Sequence, residues 1–334
     1  MRHTTQQLRP RHPASLSVTL PLALAALVSL TTACTGDRAK GKGEPAGGES
    51  ASSGAAGGAA PGPIATLSLP SPESVVFDPA RDVYYVSVVN GDPGVRPGKG
   101  FIARVTADGA IDSLHFIQGG RGGVALDAPM GSRVRGDTLW VLDIDKLRGF
   151  ALPAGTPAAT IDFAPLGALF LNDVAIGGDG AFYVTDTGVR ANGGAGPNRI
   201  YRVGSDRVPR VALESAALAS PDGIDWDPTG DRFVLAPFGG QAVQSWRPSD
   251  SAPTNVAPGR GKFDGIEVGR DGQILVTSWN DSSVATVDGD KLSPHVAGLG
   301  YPPADVSRDE RRGRIGVVSL TANRFELRAW PPTR

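Results

Sequence analysis

Four oxygen-bearing side chains hold the same place in a repeated phrase of this sequence: Glu73, Asn172, Asp222 and Asp264. In each copy a short apolar segment meets a Gly/Asp turn, and a second apolar segment then ends near valine. The copies are Glu73–Val86, Asn172–Val184, Asp222–Val234 and Asp264–Val276, with weaker ones beginning at Met130 and Ala304. Equal places in a repeat become equal places in a closed repeating fold, so these oxygens are expected to converge. Carboxylates held ~5 Å apart repel by about 3 kcal/mol per pair at an effective dielectric near 20. A hard divalent cation removes that repulsion, because Ca²⁺ and Mg²⁺ take carboxylate, amide and water oxygens. Taken singly, Asp222 and Asp264 each precede glycine and could be ordinary turn residues. Glu is a poor turn residue, and Glu73 follows Pro72 ahead of an apolar strand. The four together point to a metal.

Other chemistries find little support. There is no Gly-x-Ser-x-Gly and no His-Glu-x-x-His, and Gly94–Gly100 fails the phosphate-loop pattern. Of the four histidines, His3 and His12 fall near the amino terminus, and His115 and His295 fall in expected outer strands. A net charge of −1 supplies no basic field, which argues against a nucleic-acid partner. The five tryptophans, Trp140, Trp226, Trp246, Trp279 and Trp330, mostly occupy strand positions suited to core packing. Trp279-Asn280, just after a second strand, is the pair best placed to touch a substrate.

The elements that must position these residues are short strands. The phrases start at 73, 130, 172, 222, 264 and 304, intervals typical of four-stranded propeller blades. Third strands follow at Ile102–Val105, Arg199–Arg202, Val243–Trp246, Ser283–Thr286 and Arg324–Leu327. With 45 Gly, 28 Pro and no long run of 3.6-residue period, helices are not expected to carry the fold. The last repeat lacks a fourth strand, while Ala65–Leu69 is unassigned at the other end. Pairing it beside Arg324–Arg328 completes the ring without exposed edges. The expectation is therefore an all-β, six-bladed β-propeller over residues 64–334. Two β-sandwiches, the alternative, would leave the matched offsets unexplained. Insertions at Asn90–Gly100 and Asn192–Asn198 are long enough to shape a channel mouth.

Pro72-Glu73, Asn172-Asp173, Pro221-Asp222-Gly223 and Phe263-Asp264-Gly265 each head a strand pair. In this the chain resembles the senescence-marker-protein/gluconolactonase family, the regucalcin-like lactonases. The resemblance implies a divalent metal held by Glu73, Asp222 and Asp264, with Asn172 on the substrate side. The family has Asn where this sequence has Asp222, and the substitution adds a negative charge to the site. Calcium leads among the metals, with zinc, manganese and magnesium behind it. The implied activity is hydrolysis of a lactone or similar cyclic ester, with Asp264 as first and Asp222 as second general base. The competing reading is a non-catalytic propeller whose metal is structural and whose face binds a glycan, peptide or envelope protein; a fold alone does not decide between them.

The amino-terminal segment reads as an export signal. Arg2, Arg9 and Arg11 precede an apolar stretch, Leu16–Leu30, that is too short for a stable membrane span. Leu30-Thr31-Thr32-Ala33-Cys34 resembles a bacterial lipobox, and Cys34 is the only cysteine in the chain. An ordinary signal peptide with a stray cysteine is the alternative. The resemblance implies removal of residues 1–33, lipidation of Cys34, and a membrane contact through the lipid alone. Thr35 in place of Asp favours the outer membrane where a cell has two. Residues 34–63, rich in Gly, Ala, Ser and Pro, bury too little apolar surface to fold and read as a tether.

Overall fold

The computed structural model describes residues 62–189 and 194–330. The expected signal segment, Cys34 and the tether as far as Pro61 lie outside the described residues, as do Asn192 and Gly193 of the second insertion. Alternating and continuous apolar runs form 24 strands in six antiparallel four-stranded sheets. Helix among the described residues is confined to the 3₁₀ turns Ala164–Leu166 and Ala216–Leu218. No helix there is long and apolar enough to cross a membrane. The innermost strands are Pro72–Asp78, Pro129–Arg135, Leu171–Ile176, Pro221–Asp227, Phe263–Val268 and Val306–Asp309. Each touches the next, and the sixth touches the first, which closes a six-bladed β-propeller.

Closure uses the strand expected for it. Ala65–Ser68 pairs antiparallel with Arg324–Ala329 in the register Ala65↔Leu327 to Ser68↔Arg324. One blade is thereby built from both ends of the domain, and no sheet edge is left open at the seam. The second blade has a third strand, Lys146–Ala151, that the repeat pattern did not mark.

The blades hold together by aromatic and aliphatic packing across their faces. Tyr84 of blade 1 packs against Phe77 of its own blade and meets Phe325 of blade 6. Trp140 of blade 2 meets Phe182 of blade 3, and Tyr183 of blade 3 meets Phe233 and Trp246 of blade 4. Burying a side chain of this size contributes roughly 1.5–3 kcal/mol. Trp140, Trp246 and Trp330 are core residues, whereas Trp226 and Trp279 are only half-buried. Hairpins at the far end of the innermost strands are set by Asp-Pro turns. Asp78 Oδ1 accepts from the Ala80 and Arg81 amides, and Asp227 Oδ1 from those of Thr229 and Gly230.

Candidate metal centre

At the start of five innermost strands the pairing register slips, between Pro72 and Ser74, Pro129 and Ser132, Leu171 and Val174, Pro221 and Gly223, and Phe263 and Ile266. A slip of this kind bends the strand and re-aims a side chain. Here it falls at Glu73, Met130, Asn172, Asp222 and Asp264. Glycines at the following position allow the blades to approach. A Cβ on Gly265 would lie 2.5 Å from Asp305 Oδ1, and one on Gly223 would lie 2.4 Å from the Asp264 carbonyl oxygen. Two threonines brace the ring: the Thr185 hydroxyl donates to the Asp222 carbonyl (2.6 Å) and accepts from the Asp173 amide (2.9 Å). Thr277 does the same between the Ala304 carbonyl (2.6 Å) and the Gly265 amide (2.8 Å).

The outcome is a cluster of three carboxylates, from Glu73, Asp222 and Asp264, each offering an oxygen within 4.8 Å of the others. All three are buried, and Asn172 lines the same small cavity of about 10 Å³, room for one water-sized sphere. Met130 and Ala304, the apolar members of the expected ring, are buried but do not line it. Trp279 reaches the cluster through a hydrogen bond: its indole Nε1–H donates to Asp264 Oδ2 at 2.6 Å.

The electrostatics are strained. Burial, followed by the charges of Asp264 and Asp222, holds the Glu73 carboxyl well above the usual range. Asp222 is raised in the same way by burial and then by Asp264. Asp264 is pushed up to about 8, chiefly by burial, while the Trp279 hydrogen bond pulls it back. Glu73 Oε2 is buried with no hydrogen-bond partner. A buried oxygen anion without a donor is unfavourable by several kcal/mol unless something positive meets it. Hard oxygen donors, close spacing and this orphaned atom all fit a divalent cation.

Sequence reasoning marked the first ring and missed the groups beneath it. Asp173 and Asp305, one residue further along their strands, are also buried and line the same cavity. Unlike the upper three, both are hydrogen-bonded to neighbouring blades. Asp173 Oδ2 accepts from the Ile224 amide (3.0 Å), and Asp305 Oδ2 from the Val75 amide (3.1 Å) and the Ser74 hydroxyl (2.9 Å). Lower still, Arg133 Nη2 lies 3.8 Å from Asp173 and 3.7 Å from Asp225. The doublets Asn172-Asp173 and Ala304-Asp305 in the repeat register were the signal available for this layer. Of the two insertions, the first is tied down: Arg96 Nη2 meets Asp145 Oδ2 at 2.6 Å, and the Gly98 amide donates to Asp127 Oδ1.

Residues 156–296 match the family model of the SMP-30/gluconolactonase/LRE-like region. That stretch runs from the outer strand of blade 2 to the outer strand of blade 5 and contains Asn172, Asp222 and Asp264. No curated protein matches the sequence significantly. Among solved structures, a putative gluconolactonase is similar at 16% identity and a TM-score of 0.59, covering 82% of this chain and 95% of its own. A gluconolactonase from Xanthomonas campestris is similar at 17% and 0.58, covering 80% and 89%. Virginiamycin B lyase from Staphylococcus aureus is similar at 11% and 0.55, covering 79% and 98%. At these identities the structural likenesses speak for the propeller fold alone. The sequence match to the SMP-30/gluconolactonase/LRE-like region thus covers the central blades of a six-bladed propeller and takes in Asn172, Asp222 and Asp264.

Proposed function

We propose that this protein is a divalent-metal-dependent hydrolase of a lactone or similar cyclic ester. The observation that carries the reading is the buried trio Glu73, Asp222 and Asp264 with its orphaned Glu73 oxygen. Three buried carboxylate oxygens within 4.8 Å of one another are the hard donors that calcium prefers. Calcium is therefore the proposed ion, with Glu73, Asp222 and Asp264 as its protein ligands. A bound cation would polarise the ester carbonyl and make a nearby water more acidic. Asn172, on the same cavity, is assigned to orient the substrate. Asp264 is the first candidate base, since its carboxylate stands in the trio beside the small cavity that Asn172 also lines. Water would give its proton to Asp264 and its oxygen to the carbonyl carbon. The ring C–O bond would break, and the departing oxygen would recover the proton to give a hydroxy acid. Asp222 is the second candidate.

A structural-ion reading has one observation in its favour, the confined space of about 10 Å³ at the trio. The two readings part on turnover. Calorimetry with calcium, manganese and zinc, on the wild type and on Glu73→Gln/Asp264→Asn, is paired with a panel of lactones. Binding lost in the double variant, with metal-dependent turnover, supports the hydrolase; binding without turnover transfers the function to a glycan, peptide or protein ligand of the face. No binding by the wild type removes the metal and every role assigned through it. For location, we propose export and anchoring through a lipidated Cys34, with residues 34–63 as the tether. Cys34→Ser should then release the protein from the membrane fraction, and continued anchoring would refute the assignment.

A further inference from the structure

Trp279 directly follows the second strand of blade 5, Ile274–Ser278, on the face that carries the trio. The contact of its indole Nε1–H with Asp264 Oδ2, 2.6 Å, lies at the short end of N–H···O hydrogen bonds. The residue itself has little freedom. Its amide donates to the Lys262 carbonyl (3.0 Å), and its own carbonyl accepts from the Ser282 amide (3.2 Å). Its ring meets Phe238 of blade 4 edge-on, with centroids 5.2 Å apart and planes at 86°. An indole fixed at both ends presents its N–H in one direction. Tryptophan has a donor and no acceptor, so it can pair only with an ionised or lone-pair-bearing oxygen of Asp264.

We propose that Trp279 is a positioning residue of the carboxylate site, one that occupies Asp264 Oδ2 and reserves Oδ1 for the bound cation. The proposal rests on the reading of the trio as a cation site and replaces the expectation that Trp279 touches substrate. Partners of this kind orient ligands, and losing one weakens metal binding or activity by about 10- to 100-fold. Phenylalanine at 279 keeps a ring against Phe238 and removes only the donor. Phe238→Leu changes the packing and keeps the donor.

Full-length wild type, Trp279→Phe, Phe238→Leu and Asp264→Asn are compared by the indole N–H resonances in ¹H–¹⁵N spectra, and by titration with calcium, manganese and zinc in turn. The resonance missing from Trp279→Phe identifies Trp279. It is expected well downfield in the metal-free wild type, shifted upfield in Asp264→Asn and little changed in Phe238→Leu. Cation affinity is expected to fall 10- to 100-fold in Trp279→Phe and to stay within about threefold in Phe238→Leu. An indole resonance indifferent to Asp264→Asn overturns the proposal. So does wild-type affinity in Trp279→Phe, or an equal loss in Phe238→Leu, which would make packing the cause. A wild type that binds no cation while its indole resonance follows Asp264 would end the cation reading and keep the hydrogen-bond assignment.

Discussion

Glu73→Gln should stabilise the metal-free protein and destabilise it relative to wild type once the cation is present. Glu73 is buried beside two carboxylates with one oxygen unpartnered, and burial, followed by the charges of Asp264 and Asp222, holds its carboxyl well above the usual carboxylate range. The sign follows from linkage. An acid with a raised folded pKa favours folding at low pH, and that advantage is lost as pH rises above its unfolded value. Direct Coulomb repulsion among the ionised carboxylates is about 3 kcal/mol for each pair at 4.8 Å with an effective dielectric near 20. Gln has nearly the same shape and needs no proton. Its advantage in chelator should therefore grow as pH rises from 5 to 7, to a size set by that repulsion, on the order of 3 kcal/mol. With calcium at a hundred times its dissociation constant the wild type gains ~2.7 kcal/mol, and the variant gains little, so the gap closes or reverses. Urea midpoints at four pH values, with chelator and with excess calcium, measure both effects. A Glu73→Gln protein no more stable than wild type in chelator at pH 7, or an advantage that does not change with pH, would refute the reasoning about the trio.

Three further outcomes separate the layers of the channel. Asp305→Ala should destabilise the fold by about 2–4 kcal/mol with or without cation, because the buried Val75 amide and Ser74 hydroxyl both lose their acceptor; a smaller loss in urea unfolding than in Asp305→Asn would contradict this. Gly265→Ala should cost on the order of 1–3 kcal/mol, since its Cβ would press on Asp305 Oδ1 at 2.5 Å and on Asp305 Cα at 2.6 Å; an unchanged melting temperature would mean that the strands yield there. Glu267, raised to about 8 chiefly by burial and opposed by Arg308, also withdraws stability as pH climbs from 4.5 towards 8. Glu267→Gln should flatten that part of the stability–pH curve even with calcium bound, and a slope unchanged by the substitution would disprove the assignment.

The ring of blades was legible because each blade repeats one phrase, and equal offsets carry to equal places about an axis. The closing pair, Ala65–Ser68 on Arg324–Ala329, could be read from a surplus strand at one end and a deficit at the other. The three carboxylates came from the same register. Two things were not legible. Arg133 shares its layer with Asp225 and Glu267, but its meeting with Asp173 depends on how deep a long side chain reaches into the channel. Likewise, Trp279 follows its strand in sequence, yet its reach to Asp264 depends on the turn from Ser278 to Ser282. Periodicity tells which residues share a level, and it is silent on how side chains cross between levels.

Acids at neighbouring levels of the channel thus acquire opposite duties, and the free edge of the innermost strand explains why. A strand lining the channel has amides on that side with no fifth strand to receive them, and buried amides must find acceptors. Asp173, Asp305, Asp225 and Ser307 supply them, to the amides of Ile224, Val75, Val268 and Phe77, each on the next blade round the ring. These acids are partnered by the backbone and would remain so in any propeller built this way. In the repeat register Glu73, Asp222 and Asp264 stand one place before Asp173 and Asp305 and three before Asp225 and Ser307. The donor that meets one of them is a side chain, Trp279, and Glu73 Oε2 has none. Backbone satisfaction therefore accounts for the lower acids and leaves the upper trio unexplained. Three buried carboxylates that the fold does not need, held where it cannot pair them, are stable together only with protons or with a cation. The pH course of Glu73→Gln in chelator and in calcium tells which of the two the protein uses.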